Sequence, residues 1–189
     1  MQTSPSGIYQ QNIDKQRILV LGKNRSRIVQ LTLFVLKFNH KKYSCYTPKT
    51  VQQEDAPFII IEPEETNDLL EGYQHHVLVL SGLSVNEKTI CSKLADLTPK
   101  SGAIIYDEKD PVSSEIAKIQ RTDVSTHPYT VLKHELKQGK AVLISSSNEK
   151  IETGFATTED LKNMSAVKEL VKKIGISSGQ FYRAMTAFQ

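Results

Sequence analysis

Apolar residues in this chain fall in short blocks with two different periods. Arg17 to Leu21 (RILVL) is a compact, β-rich run that stops at Gly22. The stretch behind it carries Ile28, Leu31, Val35 and Phe38 at helical spacing, so a strand, a turn and a helix are predicted in that order. Tyr43 to Tyr46 reads as a short second strand, and Phe58 to Ile61 (FIII) is wholly apolar, as strands buried on both faces of a parallel sheet are. Val77 to Leu80 repeats that pattern, a helical pattern covers Asn86 to Leu97, and beyond Pro99 and Gly102 comes the strand Ala103 to Tyr106. The alternation predicts a Rossmann-like, three-layer α/β domain: a mostly parallel sheet, helices on both faces and right-handed crossovers.

The rhythm changes after Pro111. A helix is expected through Ile119 and an extended piece over Thr122 to Thr126. Tyr129 to Leu136 and Ala141 to Ser145 flank the turn KQGK, which predicts an antiparallel hairpin at the sheet edge. Thr157 or Thr158 is placed to cap a helix with Glu159 and Asp160 in its first turn, Gly175 stops it, and Ser177 or Ser178 caps a last helix. The polar segment 1–15 reads as a loose arm, and 16–189 as one domain.

Composition narrows the function classes. At 189 residues one core suffices, burying roughly 70% of the unfolded chain's surface without metal or disulfide. Cys45 and Cys91 stand alone with no CxxC, so free thiols and a reducing cytoplasm are expected. Lys plus Arg number 24 against 21 acids, a net +3 without a basic cluster, so nucleic acid is not an expected partner. The longest strongly apolar stretch, Leu31 to Leu36, is far short of the ~20 residues a membrane span needs. The N-terminus lacks the pattern of a secretory signal.

Candidate chemistry lies at the ends of strands. Gly22 to Val29 (GKNRSRIV) occupies the strand-to-helix turn, where parallel α/β folds bind phosphate on helix amides. Gly22, Lys23, Asn24, Arg25, Ser26 and Arg27 are the candidate anion-binding residues, either as a weak, salt-sensitive site for phosphate or sulfate or as an ordinary turn. The acids Glu62, Glu64 and Glu65 follow the FIII strand and make Glu62 a candidate metal ligand, the alternative being a solvated acidic loop. His75 and His76 are adjacent and face opposite ways on a strand. They are expected at the surface or just ahead of a strand, and His127 and His134 lie in no triad context, so no histidine is assigned to catalysis.

Taken in order, these segments resemble the central, ATP-binding domain of the Mur ligases, which join amino acids or peptides to UDP-N-acetylmuramate. RILVLGKNRSRIV stands where the family has a strand and G-T-x-G-K-[ST]-T, and FIIIEPEET is similar to the strand bearing its magnesium-binding glutamate, placing that role on Glu62. HVLVLSGLSVNE, LADLTPKSGAIIYDEKDP and the C-terminal TTEDLKNMSAVKELVKKIGISSGQFYRAMTAF resemble the later motifs. Gly22, Asn24, Glu62, Asp110 and Asn163 match the family, whereas Arg25, Ser26 and Arg27 replace its glycine, lysine and magnesium hydroxyl, and Glu159 and Asp160 its H-N pair. The resemblance implies a cytoplasmic Mur-ligase-like fold with a degenerate P-loop, Asp160 and Asn163 as residual nucleotide-binding positions, and no cofactor. It further implies a non-catalytic protein acting by binding, with a Mur ligase, another peptidoglycan-synthesis protein or a second copy as partner. The competing expectation is an ATP- and Mg2+-dependent muramyl ligase or nucleotide hydrolase with an altered site, completed by another chain.

Overall fold

The computed structural model describes residues 5–67, 70, 73–118 and 121–188. The first helix, α1 (Pro5–Gln11), buries Ile8 against the sheet, so part of the segment expected as a loose arm is helical. Residues 1–4 and Ile119 lie outside the described residues. The chain continues through β1 (Gln16–Leu21), α2 (Arg25–Phe38), β2 (Ser44–Tyr46), β3 (Val51–Gln52), β4 (Phe58–Ile61) and β5 (Val77–Leu80). A 3-10 turn, Val85–Glu87, leads into α3 (Lys88–Asp96), followed by β6 (Ala103–Asp107), α4 (Pro111–Ile116) and β7 (Ser125–Tyr129). Then come β8 (His134–Lys137), β9 (Lys140–Ile144), β10 (Lys150–Glu152), α5 (Thr158–Lys173) and α6 (Ser178–Ala187).

Seven strands form one sheet in the order β3-β2-β4-β1-β5-β6-β7, parallel throughout except for the antiparallel β2–β3 pair. Successive side chains of a strand face opposite ways, and both faces are covered. Ile18, Val20, Ile60, Val79 and Ile105 pack on the side of α2, α5 and α6. Leu19, Leu21, Ile61, Leu80 and Ile104 pack with residues of α3 and α4 and with Ile8. Each fully buried aliphatic side chain contributes roughly 1.5–3 kcal/mol relative to exposure, which explains why the four-residue strands β4 and β5 are apolar throughout.

The KQGK hairpin forms, but away from the edge of the main sheet. Its strands β8 and β9 join β10 in a separate three-stranded antiparallel sheet, which buries Ala141 and Leu143 in the α5/α6 core. The edge is taken by β7, parallel to β6. It carries Pro128, whose missing N–H suits an edge strand.

Candidate functional site

The strand order reverses at β1. Its successor α2 packs on one face of the sheet, and α3, which follows the neighbouring β5, packs on the other. The C-terminal ends of two such strands leave a crevice where doubly wound folds bind ligands. Here the crevice has a volume of about 620 Å³, with Lys23 and Asn24 on one side, Gly82 to Ser84 on another and Thr158, Glu159 and Lys162 of α5 across it.

The turn after β1 is tightly built. Gly22 has φ +96°, and a β-carbon there would lie 2.1 Å from the Ser81 carbonyl oxygen. That is why a glycine stands there. The Lys23 amide donates to the Gly82 carbonyl at 3.3 Å, and Asn24 Nδ2 donates to Ser81 Oγ at 3.3 Å. Gly82 is itself left-handed, and its missing β-carbon makes room for the methylenes of Lys23.

The next three side chains of the turn reach partners within the protein. Arg25 donates from Nε to the Pro63 carbonyl at 3.0 Å, from Nη1 to the Gly22 carbonyl at 3.2 Å and from Nη2 to the Glu64 carbonyl. Ser26 Oγ donates to the Glu62 carboxylate, whose residue is buried. Arg27 pairs with Asp160 at 3.0 Å, and its guanidinium carbon lies 5.7 and 5.2 Å from the ring centroids of Phe155 and Phe188. The three cations among the candidate anion-binding residues are dispersed: Lys23 lines the crevice, Arg25 faces backbone carbonyls and Arg27 lies against aromatic rings.

Glu62 lies at the end of β4, and Ser26 is its hydroxyl partner. Among the described residues no group of three or more His, Cys, Asp or Glu side chains could hold a metal ion. A magnesium ion held here would take one carboxylate, that of Glu62 at the end of β4, and the rest of its shell from water and ligand oxygens. Asp160 also accepts from Thr157 Oγ1 at 2.8 Å, within the cap of α5. Asn163 is buried on α5, and its Oδ1 has no hydrogen-bond partner. Asp160 and Asn163 thus share a helix, and neither lines the crevice.

Two crevice residues were not singled out from the sequence as a pair. Asp107, nearly fully buried at the end of β6, pairs with Lys162 of α5 at 2.5 Å. The signal was an acid closing an otherwise apolar strand (AIIYD), with a lysine far away in the chain. Asp110 caps α4 and accepts the Leu83 amide at 3.0 Å, tying the loop after β5 to the loop after β6. Tyr129, at the end of β7, donates to the Leu80 carbonyl at 3.2 Å, and burial raises its phenol pKa.

Of the two placements expected for the histidine pair, the structure shows the second, just ahead of β5. His75 is completely buried there rather than at the surface, with Nε2 2.9 Å from Thr98 Oγ1. Burial lowers its pKa to about 4. His76 Nδ1 accepts the Arg17 amide at 3.0 Å.

No family model and no curated protein matches the sequence. Solved structures do match the fold. A murein peptide ligase from Psychrobacter arcticus 273-4 aligns with a TM-score of 0.75 at 12% identity, over 97% of this chain and 49% of its own. MurF from Acinetobacter baumannii aligns with a TM-score of 0.75 at 12% identity, over 98% of this chain and 49% of its own. A point mutant of L. casei FPGS aligns with a TM-score of 0.69 at 11% identity, over 97% of this chain and 67% of its own. The fold is Mur-ligase-like, and the chain spans about half the length of the murein peptide ligase and of MurF.

Proposed function

We propose that this protein is a non-catalytic relative of the Mur ligases that acts by binding, as a regulator of peptidoglycan-precursor synthesis or a partner of true ligases in the cytoplasm. The observation that supports this reading is the hydrogen bond from Ser26 to Glu62. A working phosphate loop needs a lysine on the phosphates and a hydroxyl on magnesium. Here a serine, standing where the family has the lysine, donates to the carboxylate that the resemblance assigns to the metal. Arg25, standing where the family has a glycine, is bonded to carbonyls on both sides of the turn. Phosphoryl transfer depends on electrostatic stabilisation and in-line positioning, and this arrangement supplies little of either. Any affinity of the turn for inorganic phosphate then rests on Lys23 and the first amides of α2, and it falls with added salt.

A second reading is favoured by the open crevice with Lys23 and Lys162 on its walls: an ATP-dependent ligase or nucleotide hydrolase whose site another chain completes. A phosphate-release assay with ATP and magnesium, joined to a thermal-shift titration with ATP, ADP and UDP-sugars, separates the two. The non-catalytic reading expects no turnover. A ligand that binds only the folded state must raise its stability, so a shift without turnover identifies the ligand of a binding protein. Steady turnover that disappears in Glu62→Ala establishes the second reading instead.

A further inference from the structure

We infer that the first turn of α2 is a side-chain clasp, with Arg25 as its principal arm, that orders the loop after β4 and the start of α5 without any ligand. The inference goes beyond the reading above: it names what the residues standing in the turn do for the fold, and it rests on their contacts alone.

Three carbonyl oxygens, of Gly22, Pro63 and Glu64, converge on the Arg25 guanidinium. Carbonyl oxygens carry partial negative charge, and together they make a seat for a planar cation with several donors. Arginine alone among the side chains offers five N–H groups in a fixed fork, whereas lysine offers a compact point charge. The seat therefore fits a guanidinium and has no complementarity to a phosphate oxygen.

Helix geometry extends the grip. Successive residues of an α-helix are rotated by roughly 100° about its axis, so Arg25, Ser26 and Arg27 fan out in three directions. Arg25 reaches the carbonyls after β4, Ser26 the Glu62 carboxylate at its end, and Arg27 Asp160 in the first turn of α5. One helical turn thereby holds two segments that are distant from it in sequence.

The test is backbone 15N relaxation on the full chain, comparing the parent with R25A and R25K. In the parent, amides of 64–67 should have order parameters near ~0.8, those of rigid backbone, and in R25A they should drop below ~0.6 while amides of β5 and β6 stay unchanged. A protease specific for glutamate, cutting after Glu64 or Glu65, should act about tenfold faster on R25A, because local opening exposes the loop. R25K should lie between, keeping the charge without the fork. Unchanged order parameters and cleavage in R25A overturn the clasp; should R25A fail to fold, parent-like values in R25K do so. The readouts involve no nucleotide, so ATP turnover by the parent would overturn the non-catalytic reading and leave the clasp standing, and a failed clasp leaves that reading untouched.

Discussion

At the residue scale, Gly22 shows most directly how one position sets the geometry of the site. Its φ of +96° is one L residues rarely adopt, and the Ser81 carbonyl fills the space a β-carbon would need. Relief of the clash would push the turn away from β5, and the strain of a left-handed backbone adds to it. Gly22→Ala should therefore destabilise the fold by about 2 kcal/mol or more, visible as a lower urea midpoint. A midpoint equal to the parent's would mean that the turn relaxes freely. Gly175, also at positive φ, has open space around it, so its alanine variant meets backbone strain without a clash and should cost less.

Elements meet here through a few long-range polar contacts laid over apolar packing. Helices α2 and α5 share the core of Ile28, Leu31, Val35, Leu161 and Val167. The Arg27–Asp160 pair joins their first turns, with side chains 35% and 24% exposed. Partial exposure and salt screening limit such a pair, so a double-mutant cycle over R27A and D160A should give a coupling of ~0.5–1 kcal/mol in low salt, shrinking at high ionic strength. The stacking of Arg27 on Phe155 and Phe188 is screened far less, so R27A should remain the costlier single change at high salt. Zero coupling in low salt would show that packing alone aligns the two helices.

For the whole molecule, acid stability should carry the signature of His75. Burial holds its folded-state pKa at about 4 against an ordinary 6.5, so between those values the unfolded chain binds a proton that the native protein does not. Stability is then full above pH 6.5 and lost as pH falls towards 4, by about 3 kcal/mol from this residue. Its imidazole is buried with His76 and Arg17 nearby, and the backbone hydrogen bond at Tyr73 offsets only part of the cost of charging it there. In His75→Gln the urea midpoint should depend less steeply on pH across that window, whatever its absolute value. An unchanged slope would assign acid sensitivity to other groups. His76 and His127 are also lowered by burial and add to the same trend.

The sequence by itself determined the layered α/β architecture, because a strand covered on both faces must be apolar throughout, and FIII, VLVL and AIIY leave little else open. The Mur-ligase-like order of elements was legible for the same reason, as was Gly22, whose conformation only glycine adopts easily. Tertiary structure alone decided the rest. The hairpin's sheet depended on which strand holds the edge beside β6, and β7, with no alternating pattern to announce it, occupies that place. Where a charge points is likewise decided by partners distant in the chain: Arg25 by the carbonyls of Pro63 and Glu64, Arg27 by Asp160 and two phenyl rings, Asp107 by Lys162. Apolar period is a local property that survives in one dimension. The pairing of polar groups is satisfied only in three, so the chemistry at the turn became legible once the loops were brought together.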